Sequence, residues 1–220
     1  MAEADPDARR SSAAGARPAG IAVPFGAVTN RRGFETWAEM LAPVFDVDAD
    51  RDVVSSFAFG FESWTLGSAV IGRCRARGHT FERSRRTVAR SGIDHVMIQL
   101  QGEGGLDGDA EGRPIRGRPG DICVFDLARP ARTVSPDFSN TTLVVPRTVL
   151  EPLVADYDAL HGLVLSADNP RTRLLARHVE DLTGHLAGPG GDDLIGLVEP
   201  TIHFAAACLG TSAEIGRAHV

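Results

Sequence analysis

His79-Thr80-Phe81-Glu82 comes nearest in this chain to a metal-binding strand. A barrel metalloenzyme needs two close histidines on one strand, usually His-x-His, with a carboxylate and a third histidine. Phe81 stands where the second histidine would be, and none occurs from Ile122 to Pro130, after Asp121. No metal and no cofactor is therefore expected. Four other residues suit a small-molecule pocket. Trp64 can stack on a ligand, while Arg73, His95 and Gln99 can bond its polar atoms, a set suited to an anionic or aromatic effector. Strand parity assigns these four to faces without saying which face is inside. Each is equally readable as an exterior or structural group.

Other chemistries lack their residues. There is no Gly-x-Ser-x-Gly elbow, Gly-x-Gly-x-x-Gly fingerprint or P-loop. The glycines of 102–112 lie in an acidic loop that would repel phosphate. Asp107/Asp109 and Asp192/Asp193 read as solvated turns and caps. Cys74, Cys123 and Cys208 form no Cys-x-x-Cys pair, so zinc is not expected. They read as reduced, buried thiols.

The elements that must position these residues change along the chain. Residues 1–20 have no apolar periodicity and read as a disordered lead-in. Phe34, Trp37, Met40 and Leu41 fall at helical spacing over residues 33–45, and Pro43 ends that run. From about 56 to 146 the pattern is short strands. Trp64 to Cys74 reads as one long strand, with Leu66, Val70 and Cys74 on one face and Ala69, Ile71 and Arg73 on the other. Arg86 to Ala89 is a short segment. On the clearest strand, 94–101, Val96, Ile98 and Leu100 share a face opposite His95, Met97 and Gln99. Gly102 to Gly112 reads as a hairpin-like loop. Pro119-Gly120-Asp121 is a turn signal feeding the strand Ile122 to Asp126: Pro presets φ, Gly permits positive φ, and Asp bonds nearby amides. Short strands at this spacing favour a barrel or jelly roll.

After Pro146 the pattern is helical, with Val149, Leu150, Leu153, Val154, Tyr157 and Leu160 at one period. Asn169-Pro170 reads as N-cap and first helical residue. Leu174, Leu175, Val179, Leu182 and Leu186 make an apolar stripe. Gly188-Pro189-Gly190-Gly191 breaks that helix and Asp192 can cap the next, in which Pro200 forces a kink or a later start. Leu175, Val179, Leu182 and Leu186 are candidate dimerisation residues, in a stripe that serves either the barrel alone or the barrel and a second copy. The fold class expected is α+β, a cupin-like, jelly-roll-like barrel followed by a helical hairpin.

The 220 residues are 43% hydrophobic with a formal net charge of -6, and the pI is about 5.6. All 23 basic residues are Arg. An acidic chain does not read as a stand-alone DNA-binding domain, so the clusters Arg73–Arg77 and Arg83–Arg86 read as solvated faces. No signal-peptide core and no stretch of membrane-span length is apparent. A soluble, cytoplasmic protein is expected.

The order of these features resembles the N-terminal, AraC-binding-like sensor domain of AraC/XylS-type bacterial transcription regulators. The resemblance rests on Arg118-Pro119-Gly120-Asp121-Ile122-Cys123-Val124-Phe125-Asp126 and Val144-Val145-Pro146-Arg147-Thr148-Val149-Leu150. Leu160-His161-Gly162-Leu163-Val164-Leu165, leading into Arg171-Thr172-Arg173-Leu174-Leu175, adds to it. It covers roughly residues 25–210. It implies an N-terminal helix and cupin-like barrel over 25–146, a helical dimerisation or linker region over 147–210, a homodimer, and a small-molecule effector. In complete members a C-terminal helix-turn-helix domain binds DNA, and Gly210 to Val220 are too few to form one. Read back into codons, Glu214 to Val220 match the start of a common sequencing adapter. Residues 211–220 are thus expected to be a non-native tail, with an ordinary polar tail as the alternative. The reading is the sensing and dimerising portion of such a regulator, cut before its DNA-binding domain. A cupin-type enzyme and a ligand-free dimerisation module are its rivals.

Overall fold

The computed structural model describes residues 20–188 and 191–217. The expected lead-in, apart from Gly20, falls outside them. So do Pro189, Gly190, the Asp192 side chain and the end of the expected tail. The first elements are β1 (Gly20–Val23), α1 (Asn30–Leu41), β2 (Asp46–Asp48) and α2 (Arg51–Ser55). Then come β3 (Phe59–Leu66), β4 (Ala69–Ala76), β5 (His79–Arg83), α3 (Arg85–Ser91), β6 (His95–Gln101), β7 (Leu106–Ala110) and β8 (Arg113–Gly117). The chain continues through β9 (Ile122–Asp126), β10 (Ala131–Ser135), β11 (Phe138–Pro146), α4 (Arg147–Leu150) and β12 (Leu163–Leu165). It closes with α5 (Pro170–Leu186) and α6 (Val198–Arg217).

Two antiparallel sheets face each other. One runs β1-β3-β4-β11-β6-β9-β12 and the other β2-β5-β10-β7-β8. Together they make a cupin-like, jelly-roll-like barrel, and α5 and α6 form a hairpin against the outside of the larger sheet. The fold is α+β. Trp64, Ile71, Val96, Ile98 and Val124 on that outer face share one apolar cluster with Leu175, Val179, Leu182 and Leu186 of α5. Burying a side chain such as Ile98 or Leu175 contributes about 1.5–3 kcal/mol.

Several elements follow their local signals. Asn169 caps α5 by accepting from the Arg171 amide at 2.9 Å. Pro200 sits in the first turn of α6, where its missing N–H costs nothing, so it sets the start of the helix and does not kink it. Gly120 has φ +90, and the Asp121 amide donates to Arg118 O at 3.0 Å, closing the turn before β9. The Asp121 carboxylate accepts from the amides of Arg118 (2.9 Å) and Ala167 (2.8 Å). It thereby ties this turn to the approach to α5.

Other expectations are corrected. Trp64 to Cys74 is not one strand: Gly67, at φ +60, reverses the chain between β3 and β4. The two-residue loop pairs Leu66 with Ala69, so Leu66 shares a face with Ala69, Ile71 and Arg73, not with Val70 and Cys74. Arg86 to Ala89 belongs to the helix α3, capped by Ser84, which accepts from the Thr87 amide at 3.1 Å. Gly92 in the left-handed region ends it. The glycine-rich loop holds strand β7. A Cβ at Gly108 would lie 2.3 Å from Arg132 O on β10, so glycine there permits close strand packing. The helical pattern after Val149 breaks at Pro152 into α4 and short 3-10 turns. β12, which follows them, pairs with β9.

By length and composition alone, Asp193–Gly210 is long and apolar enough to cross a membrane, contrary to the sequence expectation. In the fold its Val198, Ile202, Ala205, Ala206 and Leu209 are buried in the core cluster under α5.

Candidate functional site

The inner faces of the two sheets enclose a cavity of about 430 Å³, with α1 and the residues after it lining one side. Its wall is mostly apolar, with Met40, Phe81, Met97, Phe125 and Val144 among its residues. Polar groups interrupt it: Ser63 of β3, His95 and Gln99 of β6, Thr133 and Ser135 of β10, and Asn140 and Thr142 of β11. Strand alternation produces this lining. β6 turns His95, Met97 and Gln99 inward and gives Val96, Ile98 and Leu100 to the outer core.

The four sequence candidates divide between the two faces. His95 and Gln99 line the cavity. Nδ1 of His95 is buried and has no hydrogen-bond partner. Gln99 accepts from Gln101 Nε2 at 3.0 Å through its Oε1, which leaves its own amide N–H groups as donors. Asn140 does likewise, its Oδ1 accepting from Cys74 Sγ (3.2 Å) and Thr142 Oγ1 (3.3 Å). Trp64 is instead buried in the outer core beside Ile71, where no cavity ligand can reach it. Among the described residues Arg73 is the one Asp, Glu or Arg along the wall. Its guanidinium bonds the Glu62 carboxylate across the β3–β4 pair, with the side chain 46% exposed. The parity change at Gly67 accounts for Trp64, which it puts on the face of Ile71 and Arg73. Sequence reading missed Ser63, Thr133, Ser135, Asn140 and Thr142. Their signal was available only as inward parity on strands whose inner face was unknown.

The candidate dimerisation residues Leu175, Val179, Leu182 and Leu186 are all buried inside this chain. Leu174, beside them, is 59% exposed.

His79 has no spare valence for a metal. Its Nε2 accepts from Trp37 Nε1 at 2.9 Å and its Nδ1 donates to Arg77 O at 2.7 Å. Phe34, Phe57, Phe81 and Phe138 surround the ring. Burial pushes its pKa down to about 4, so the imidazole is neutral and structural. Among the described residues no three His, Cys, Asp or Glu side chains group as metal ligands. Burial raises the Cys74 and Cys123 thiols to about 12, Cys123 with help from the Asp121 charge. Neither is a ready nucleophile. On the far side of β9, Asp126 is buried and accepts from Arg147 at 2.9 Å and from the Ala128 amide at 2.9 Å. Arg147 also bonds Asp94 at 2.5 Å and stacks over Tyr157. That cluster clamps α4 to the barrel.

The model of the AraC-binding-like domain matches residues 37–209, from the buried Trp37 of α1 to Leu209 of α6. The chain belongs to the AraC-binding-like domain family. Among solved structures, the AraC-like transcriptional activator CuxR aligns with TM-score 0.76 and 23% identity, over 87% of this chain and 70% of that one. An rmlc-like cupin protein from Desulfovibrio desulfuricans aligns over 40% of this chain and 82% of its own, with 16% identity and TM-score 0.32. An uncharacterized protein in the nit 5' region of Bacillus sp. (strain OxB-1) is 25% identical over 148 residues, 66% of this chain. This chain spans 56% of that relative's length. Within the AraC-binding-like fold, the cavity and its inward face on β6 are the candidate site.

Proposed function

We propose that this chain is the effector-sensing portion of an AraC-type transcriptional regulator, and that the effector occupies the barrel cavity. The observation that carries the reading is a 430 Å³ cavity whose mostly apolar wall is interrupted by polar side chains, His95 and Gln99 among them. Family membership and the fold shared with an AraC-like activator support it. An effector that fits one arrangement of the regulator better than another would shift it between states by that difference in affinity. In this reading the protein works in the cytoplasm and contacts DNA through a helix-turn-helix module outside residues 37–209.

A thermal-shift screen tests the sensing role. A small molecule at one hundred times its Kd should add about 2.7 kcal/mol of stability, and filling the cavity should abolish the gain. Specific nanomolar retention of operator DNA by this chain at physiological salt would contradict the assignment. We also propose that the regulator is a homodimer. With the α5 stripe buried in its own chain, a second copy would meet exposed positions such as Leu174 and Leu197. Sedimentation of the wild type and a Leu174→Glu variant tests this: a monomer–dimer difference supports it, and identical monomers contradict it.

A further inference from the structure

We infer that the barrel cavity selects an uncharged, predominantly apolar small molecule that makes a few hydrogen bonds. The inference rests on the reading of the cavity as the effector site and names the class of ligand. Of the anionic or aromatic effector suggested by the sequence it drops the anionic alternative, because Arg73 turns outward to Glu62.

Among the described residues no other Asp, Glu or Arg lines the cavity. An ion moved from water onto Met, Phe and Val side chains without a counter-charge pays several kcal/mol. A sugar fares little better. It carries hydroxyls around its whole rim, and the walls formed by Met40, Met97, Phe125 and Val144 would remove their water without replacing it. On β6 and β11 the polar groups occupy two levels. Gln99 sits in register with Thr142, near Asn140, while His95 lies four residues away opposite Pro146. On one strand that separation is about 13 Å, with Met97 between. The match is an elongated apolar body with one polar atom at an end, or one at each end. His95 can donate or accept, and the Gln99 and Asn140 amides remain as donors to a carbonyl or hydroxyl oxygen.

Two dyes on one skeleton test the class. N-phenyl-1-naphthylamine is neutral, and 8-anilino-1-naphthalenesulfonate carries a sulfonate on the same rings. Each is titrated into the whole chain by fluorescence, with glucose as competitor. Thr142→Phe and Val144→Phe serve as independent cavity-filling variants, and circular dichroism selects those that fold. The expected result is saturable binding of the neutral dye, about tenfold tighter than the sulfonate, or 1.4 kcal/mol. A filled cavity should weaken the neutral dye by about tenfold or more, and glucose should not displace it. If the sulfonate binds as tightly and filling removes it, or if glucose displaces the neutral dye, the ligand class is overturned while the sensing cavity stands. If filling changes neither dye's binding, or neither dye binds, the cavity reading itself falls.

Discussion

The two faces of β6 lie on one backbone and do opposite things. Val96, Ile98 and Leu100 face outward into a core closed by α5 and α6, and each is almost fully buried. His95, Met97 and Gln99 face inward and line the open volume. Stability comes from the filled face, where every apolar side chain has neighbours. On the proposed reading, the capacity to bind would come from the unfilled one, which lines the cavity. A fold that needs a pocket can keep the strand straight and let alternation separate the two duties.

The comparison breaks first at Trp64. If it belongs to the filled face, Trp64→Ala should cost about 3–5 kcal/mol in denaturant unfolding. The protein that remains folded should still bind the neutral dye. Loss of dye binding at unchanged stability would put Trp64 back in a ligand site. The next largest effect is pH-dependent and lies in the aromatic cluster beside the cavity. His79 titrates near 4 when folded and at about 6.5 when unfolded. Its contribution is present above pH 6.5 and is lost as pH falls through 4, a loss of about 3 kcal/mol. The stability difference between pH 7 and 4 should shrink by that amount in His79→Gln, and an unchanged difference would mean that His79 is not neutral in the fold.

Asp121→Ala sharpens the edge between the faces. It removes the acceptor for the Arg118 and Ala167 amides and should cost about 2 kcal/mol by calorimetry. A cost near zero would show that those amides find water. The smallest expected effect belongs to the open face. His95→Phe removes no hydrogen bond at Nδ1 and should change stability by less than about 1 kcal/mol. A loss as large as that of Trp64→Ala would mean that the inner face carries the fold after all.

Much of this was legible in the residues. The alternation of 94–101, the turn at Pro119-Gly120-Asp121, the Asn169-Pro170 cap and the α5 stripe are local signals, and the structure carries each of them except that Leu174, read into the stripe, is exposed. The reversal at Gly67 was missed, and that one turn moved Trp64 onto the face of Ile71 and Arg73. Strand β7 was hidden because its glycine answers to β10, a neighbour distant in the chain. Which face of each strand is inside was not legible at all. A barrel with an open interior and a helical cover puts apolar residues on both sides of the sheet, so hydrophobicity alone does not rank them.

Methyl NMR of the chain during titration with N-phenyl-1-naphthylamine tests the division of faces most directly. Met97 and Ile98 are adjacent on β6 and report opposite sides. The account predicts a saturating ring-current shift of the Met97 methyl while the Ile98 methyl stays in place. A shift of Ile98 with Met97 unmoved would contradict it.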